Sequence, residues 1–374
     1  MVPVDKVGIV GAGAAGLTLA VFLADAGIEV EVLEKGAGFT TLGSGITLQG
    51  NALRVLRDIG VWPEMLKKGY PSDSMAIRAP DPDATVVVEL DDVRTGGEDL
   101  PASLGMYRPD LTEIVRARAE RAGAQVTYST EVTGVEQSDD GVTVTFSDGG
   151  QRVFDLLVGA DGINSTVRRL IGINVTPAGT GAGAWRAIVP RPAEITRSEL
   201  IYGGPRYIAG YCPISTGWMY AYIVEPAQDR DVVTDWPELA RLAAQYGGPW
   251  QGIAGAITED TAVHYTQFTT HLVEGDWHRG RVVLIGDAAH NCPPTIAQGA
   301  AMAIEDAAVL AAEVVKAHGF DHEVMDRFHE RRVPRASLIV RSSVQLVSWL
   351  VDEVPNPDVP GVMHEVAQTV KEPA

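Results

Sequence analysis

An α/β fold, built as one discontinuous mixed domain with an inserted antiparallel sheet and C-terminal helices, is what the order of segments in this sequence predicts. Three observations carry it. Residues 6–35 run as strand, glycine-rich turn, helix and strand, which is a βαβ unit. The strand-turn-helix style returns at 155–172 and again at 282–318. Between these, from Trp185 to about Phe268, the pattern changes to short segments rich in Tyr, Ile and Val broken by Gly and Pro, the mark of an antiparallel sheet. A chain of 374 residues with 45% hydrophobic content can bury one large domain and a smaller one.

The first unit opens with VGIV and turns through GAGAAG. Gly11 permits the tight turn, Gly13 lets the backbone approach a pyrophosphate, and Gly16 lets the helix pack on the strand. The helix N-terminus adds amides and partial positive charge, the arrangement of a Rossmann-like dinucleotide site. Glu34 follows the second strand, 18 residues beyond Gly16. A carboxylate there binds two ribose hydroxyls and repels a 2′-phosphate, which suits the adenosine of FAD or NAD over NADP.

A helix is expected over 51–59, with Leu53, Val55, Leu56 and Ile59 as its apolar face, then a hairpin over 80–101. Pro109 stands where a helix can begin, with Leu111, Ile114 and Val115 on its buried side. Residues 126–146 alternate as strands around Asp139, Asp140 and Gly141. DLLVGADGINSTVRR at 155–169 places Asp161 and Gly162 at the carboxyl end of a buried strand, where ligands bind, with Ser165 able to cap the next helix. The plainer reading makes Asp161 a turn residue and Arg168 a solvated helix charge. GRVVLIGDAAHNCPPTIAQG at 280–299 sets Asp287 after a buried strand, placed to accept hydrogen bonds from a polyol such as a ribityl chain. Gly299 and Ala300 open a helix whose N-terminal dipole favours negative charge on a reduced flavin ring. Amphipathic helices over 324–351 close the pattern. The division that results is 1–70, 103–178 and 271–330 for the nucleotide domain, 71–102 and 179–270 for the inserted substrate domain, and 331–374 for the C-terminal helical segment.

These three motifs, in this order and spacing, resemble the single-component flavoprotein aromatic hydroxylases, the group of 4-hydroxybenzoate, salicylate and 6-hydroxynicotinate hydroxylases, and the likeness spans most of the chain. The resemblance implies a Rossmann-like FAD-binding domain and FAD contacts at Ala14, Ala15, Glu34 and Lys35. Further contacts are implied at Arg108 in the segment Tyr-Arg-Pro-Asp-Leu, at Asp287, and around Gly299 and Ala300. Val132 matches the adenine-side backbone contact, and Asp161 is implied to help hold both FAD and the nicotinamide cofactor. Phe328, Arg332 and Arg335 match a structural signature near the C-terminus. The implied reaction is reduction of FAD by NADH or NADPH, then transfer of OH from a flavin hydroperoxide to a small aromatic ring.

The protein's part is to exclude water and to polarise or deprotonate a ring hydroxyl. Pro294, in a loop stiffened by Pro293 and Pro294, is the expected substrate contact. Thr47 and Gln49 lie where relatives place polar groups or a histidine. No histidine stands there, so Tyr211, Tyr220, Tyr222 and His264 are the candidates to bind or deprotonate a phenol, each weighed against a plain packing role. Trp185 and Arg186 read as structural, His290 as ordering its loop, Cys292 as a small buried residue, and Arg206 as a candidate carboxylate clamp.

Forty-nine acidic against 30 basic residues give a formal charge of −19, which repels nucleic acid and anionic lipid. Cys212 and Cys292 alone make neither a disulfide framework nor a metal cluster, so no metal is expected and a reducing, cytoplasmic setting fits. No segment reaches the roughly 20 apolar residues of a membrane span. A monomer or homodimer acting on a small aromatic substrate and O2 is the expectation. The rival readings are an FAD epoxidase, an FAD reductase or dehydrogenase without oxygen insertion, and a non-catalytic flavin-binding protein.

Overall fold

A computed structural model describes residues 3–38, 44–229, 235–317 and 319–374. The apolar run VGIV forms β1 (Lys6–Val10), the glycine turn opens α1 (Ala14–Asp25), and β2 (Glu29–Leu33) returns parallel to β1 with Val7 opposite Val30. There follow β3 (Gly45–Gln49), α2 (Gly50–Asp58), α3 (Trp62–Lys68), β4 (Tyr70–Ser72), β5 (Ser74–Arg78), β6 (Val86–Asp91) and β7 (Ser103–Tyr107). Helix α4 (Arg108–Ala122) begins with Pro109 in its first turn and stops at Gly123, whose φ of 105° is left-handed. Next come β8 (Gln125–Thr127), β9 (Val132–Ser138), β10 (Gly141–Phe146), β11 (Gln151–Phe154), β12 (Leu156–Gly159) and α5 (Thr166–Leu170). The inserted layer is β13 (Ala178–Pro190), β14 (Ser198–Tyr202), β15 (Ile208–Pro213), β16 (Trp218–Pro226), α6 (Trp236–Ala243), α7 (Pro249–Ala256) and β17 (Val263–Leu272). The chain then returns through β18 (His278–Arg279), β19 (Val282–Leu284) and β20 (His290–Asn291) to α8 (Gly299–Ala317), α9 (His322–Val351) and α10 (Val359–Lys371).

The nucleotide-side sheet has six strands in the order β18-β19-β12-β1-β2-β8, so its centre joins the first βαβ unit to residues 150 and 275 positions later. All four residues of β12 are buried, as a central parallel strand requires. The second large sheet has eight strands, β20-β17-β13-β16-β15-β14-β5-β6. It recruits the 74–91 hairpin and the two residues of β20 in addition to the inserted block.

Three expectations change. The sheet begins at Ala178, before Trp185. Residues 236–256, read as part of the strand-rich block, form two helices. Their start signal is local: the Asp235 side chain accepts from the Glu238 amide and Pro237 stands in the first turn of α6. The segment read as several helices is one 30-residue helix running through Pro334, so the division at 330/331 falls inside it. Buried ion pairs from Arg332 and Arg335 to Glu305 and Asp306 fasten both sides of the proline to α8, and this packing overrides the lost backbone bond. His318, the end of the segment expected at 282–318, lies outside the described residues.

Strand parity divides the eight-stranded sheet. Trp185, Tyr211, Ala221, Ile223 and Tyr265 face an outer layer made by Leu239, Leu242, Trp250 and Ile253 of α6 and α7. The intervening residues face inward, toward β3 and α9, where Ala184, Ile208, Val224 and Phe268 meet Val347.

Candidate active site

The nucleotide cradle is shaped by what its glycines lack. Gly11 has φ 107°, and a Cβ there would lie 2.4 Å from the Ala160 carbonyl oxygen. A Cβ on Gly16 would lie 2.2 Å from the Gly11 oxygen, so the helix seats on the turn only without it. Gly13, by contrast, faces open space. Helix α1 starts there with no side-chain cap and no acid in its first turn, leaving the amides around Ala14 and Ala15 aimed at an anion. Glu34 is held over the turn by the amides of Ala12 and Gly36, at 2.9 and 2.7 Å. Its remaining lone pairs are free for ribose hydroxyls. Lys35 is exposed beside it, and buried Val132 starts β9 two residues beyond Thr130, whose amide donates to the Glu34 carbonyl. The cradle therefore fits the pyrophosphate and adenosine of a dinucleotide.

The two later motifs meet beside the first turn: a Cβ on Gly11 would lie 3.1 Å from Asp161 Cα, and one on Gly286 would lie 3.3 Å from Ala15 Cβ. Asp161 accepts from the amides of Thr166 and Val167 at 2.7 and 3.0 Å and from the Ser165 hydroxyl. Its carboxylate thus caps α5 and shapes the Gly162 turn. Arg168, a solvated charge on the plainer reading of this motif, is 2% exposed. It donates to the carbonyls of Ile163 and Ala288, both at 2.8 Å, and so clamps one motif's turn to the other's. Beside it His271 is pushed down to about 4 by burial and by the Arg168 cation.

Asp287 stands in a tight turn after Gly286, whose φ is 59°. Burial pushes its carboxyl up, while His290 and Arg108 pull it back. The turn is held from behind. Fully buried Asp306 accepts from the Gly286 amide at 2.9 Å and from Arg332 at 2.7 Å, and lies 2.6 Å from His290 Nε2. Burial pushes this carboxyl up, but His290, Arg332 and the Gly286 amide outweigh it and keep Asp306 below its ordinary value. Glu305 accepts from Arg332, Arg335 and Asn51, which ties α2, α8 and α9 to one point. The signal in the sequence was two adjacent acids inside the apolar helix GAAMAIEDAAVLAA; buried acids need partners. Pro293 is buried and Pro294 exposed in the loop that ends at Gly299 and Ala300. Cys292 is pushed up to about 12 by burial, so it stays a thiol.

The inner face of the eight-stranded sheet brings the remaining candidates together, with one exception. Tyr211 lies on the outer face, 1% exposed against Trp250, its hydroxyl donating to Glu199 at 2.5 Å. Tyr220, Tyr222 and His264 lie on the inner face, and Arg186 of β13 stands directly between His264 of β17 and Tyr222 of β16. Arg186, read as structural, donates to the Thr266 hydroxyl and the Ala184 carbonyl. Among the described residues no carboxylate pairs with it. Arg206, the expected carboxylate clamp, is itself paired with Glu225 at 2.7 Å. Burial, with the Arg186 cation, lowers His264, so its ring is neutral at neutral pH. Burial raises Tyr220 and Tyr222, which remain un-ionised donors. Strand β3 closes over this patch: Gly45 stacks on the Tyr220 side chain and the Thr47 hydroxyl lies 3.6 Å from Cys212 Sγ, with Gln49 on the same side of the strand.

Residues 5–343 match the family model described as FAD binding domain. The chain is 31% identical to 6-hydroxynicotinate 3-monooxygenase of Bordetella bronchiseptica, across 90% of each. It is 33% identical to 2-heptyl-3-hydroxy-4(1H)-quinolone synthase of Pseudomonas aeruginosa, across 81% of this chain and 79% of that one. A crystallised variant of 2-methyl-3-hydroxypyridine-5-carboxylic acid oxygenase superposes with a TM-score of 0.82 at 25% identity, covering 97% and 96% of the two chains.

Proposed function

Because the chain belongs to the FAD binding domain family and is an FAD-dependent flavoprotein monooxygenase, we propose that it hydroxylates a small aromatic or heteroaromatic ring bearing a hydroxyl group, with NADH or NADPH and O2. FAD, when bound, supplies hydride acceptance and oxygen activation. The observation that carries the substrate reading is the row His264–Arg186–Tyr222 across three neighbouring strands. Neutral His264 takes the proton of the ring hydroxyl onto a ring nitrogen, and Arg186 holds the oxygen left negative. The deprotonated ring is then electron-rich at the carbon attacked. Tyr220 and Tyr222 orient it by donating hydrogen bonds, and Thr47, Gln49 and Pro294 form the facing wall. Gly11, Gly13, Ala14, Ala15, Gly16, Glu34, Lys35, Arg108, Val132, Asp161, Asp287, Gly299 and Ala300 line the cofactor's cleft. The relatives named above act on oxygenated heteroaromatics, which supports the same reading. A cytoplasmic monomer or homodimer accords with the charge of −19 and two free cysteines.

The test is oxidation of NADH and NADPH by the FAD-loaded protein under isotopically labelled O2, with a panel of hydroxylated benzoates, pyridines and quinolines. Substrate-stimulated oxidation with one labelled oxygen in a ring hydroxyl is expected. Flavin reduction without label in any product would establish the reductase reading instead, and label in an epoxide the epoxidase reading.

A further inference from the structure

A cavity of about 780 Å³ opens between the inner end of the eight-stranded sheet and the C-terminal helices. This volume stands in the upper part of the roughly 300–1,000 Å³ range of small-molecule sites, far beyond the needs of one ring. Its walls are chiefly apolar: Ile208 from the sheet, Leu346, Trp349 and Leu350 from α9, and Val354 and Val359 from the turn into α10. Of the polar groups at its edge, Glu353 stands at the mouth, and Arg206 and Thr295 are engaged within the protein. Arg206 is paired with Glu225, and the Thr295 hydroxyl donates to the Ser343 carbonyl at 3.0 Å. The cavity borders the proposed substrate face across one packed layer. Ile208 and Leu350 belong to the cluster on which Tyr222 packs, and Thr295 directly follows Pro294.

We propose that this cavity is a hydrocarbon subsite, and that the natural substrate is an aromatic ring carrying an aliphatic tail which lies between β15 and α9 while the ring occupies the Arg186 patch. The inference rests on the hydroxylase reading and extends it to the substrate class. The apolar part of the wall offers a tail removal from water, at about 0.8 kcal/mol or fourfold in affinity per buried CH2.

Titration of the FAD-loaded protein with n-alkanols, from butanol to octanol, tests this by calorimetry without turnover. Saturable one-to-one binding is expected, with Kd falling about fourfold per methylene. Leu350→Asp removes it, and so does Val354→Asp, a change at a position already 37% exposed and therefore safe for folding. Absence of saturable octanol binding, a Kd independent of chain length, or undiminished binding in both variants overturns the subsite. A concentration-dependent dimer dissociated by octanol would assign the cavity to a second copy of the chain and overturn it equally. Label incorporation into short hydroxylated rings is measured separately, so the hydroxylase reading stands or falls on its own result.

Discussion

The two faces of the eight-stranded sheet are made by the same strands, one residue out of step, and they differ in what their polar atoms touch. On the outer face the carboxylates are matched inside the protein, Glu199 accepting from Tyr211 and Glu225 from Trp185 Nε1 at 2.9 Å, and Trp250 Nε1 is left without a partner among the described residues. On the inner face Arg186 meets neutral oxygens and the Phe268 ring, 5.7 Å from its centroid, with no carboxylate partner among the described residues, and two phenols and an imidazole stand beside it. A matched face contributes stability and is chemically inert. A face whose charge is incompletely matched has been left that way at some cost, and the difference marks where a ligand completes it.

The comparison breaks if an outer-face change alters turnover, or an inner-face change alters only folding. Trp250→Ala, deep in the outer layer, is expected to lower stability by about 3–5 kcal/mol, read by denaturant titration, with kcat/KM per folded molecule unchanged. Arg186→Met should reverse that pattern, lowering kcat/KM about a hundredfold, on the order of a charged hydrogen bond, with the unfolding midpoint nearly unmoved. His264 sharpens the inner face through pH. Its lowered pKa keeps the base form down to pH values below the ordinary 6.5, so the acid limb of kcat/KM should lie below 6.5. In Arg186→Met one of the two lowering causes is gone, and that limb should move to higher pH; a limb that stays in place would remove His264 as the base. The smallest effect is assigned to Tyr211→Phe, about 1 kcal/mol of stability with no change in turnover. A large loss of activity there would return Tyr211 to the site.

Sequence legibility divided along the same line. GAGAAG, Glu34 and Asp287 were readable because close backbone approach and positive φ are demands that glycine meets locally. The facing of Tyr211 was not, because alternation shows that neighbours in a strand point apart without showing which layer covers which side. The layer that decides it, α6 and α7, was hidden inside a segment read as strands, so Tyr211 was grouped with Tyr220 and Tyr222. Arg186 was passed over for a related reason: its neighbours His264 and Tyr222 stand 78 and 36 positions away in the chain, and only strand pairing puts them side by side. The Asp306–Arg332 pair joins two helices 26 residues apart, and there the two buried acids of α8 were a signal left unread.

The cleft takes its first turn at Gly13 and its last at Gly299, about 290 residues later. At roughly 5–20 residues per second of synthesis, the two ends are made on the order of 15 to 60 s apart. Helix α1 and the amides at its start emerge early, while Asp287, the Pro293–Pro294 loop and the α8 terminus are still to be translated. The central strand β1 waits in the same way for its neighbour β12. On the proposed cofactor cleft, flavin capture is therefore a late event in synthesis, completed only after the start of α8 has emerged.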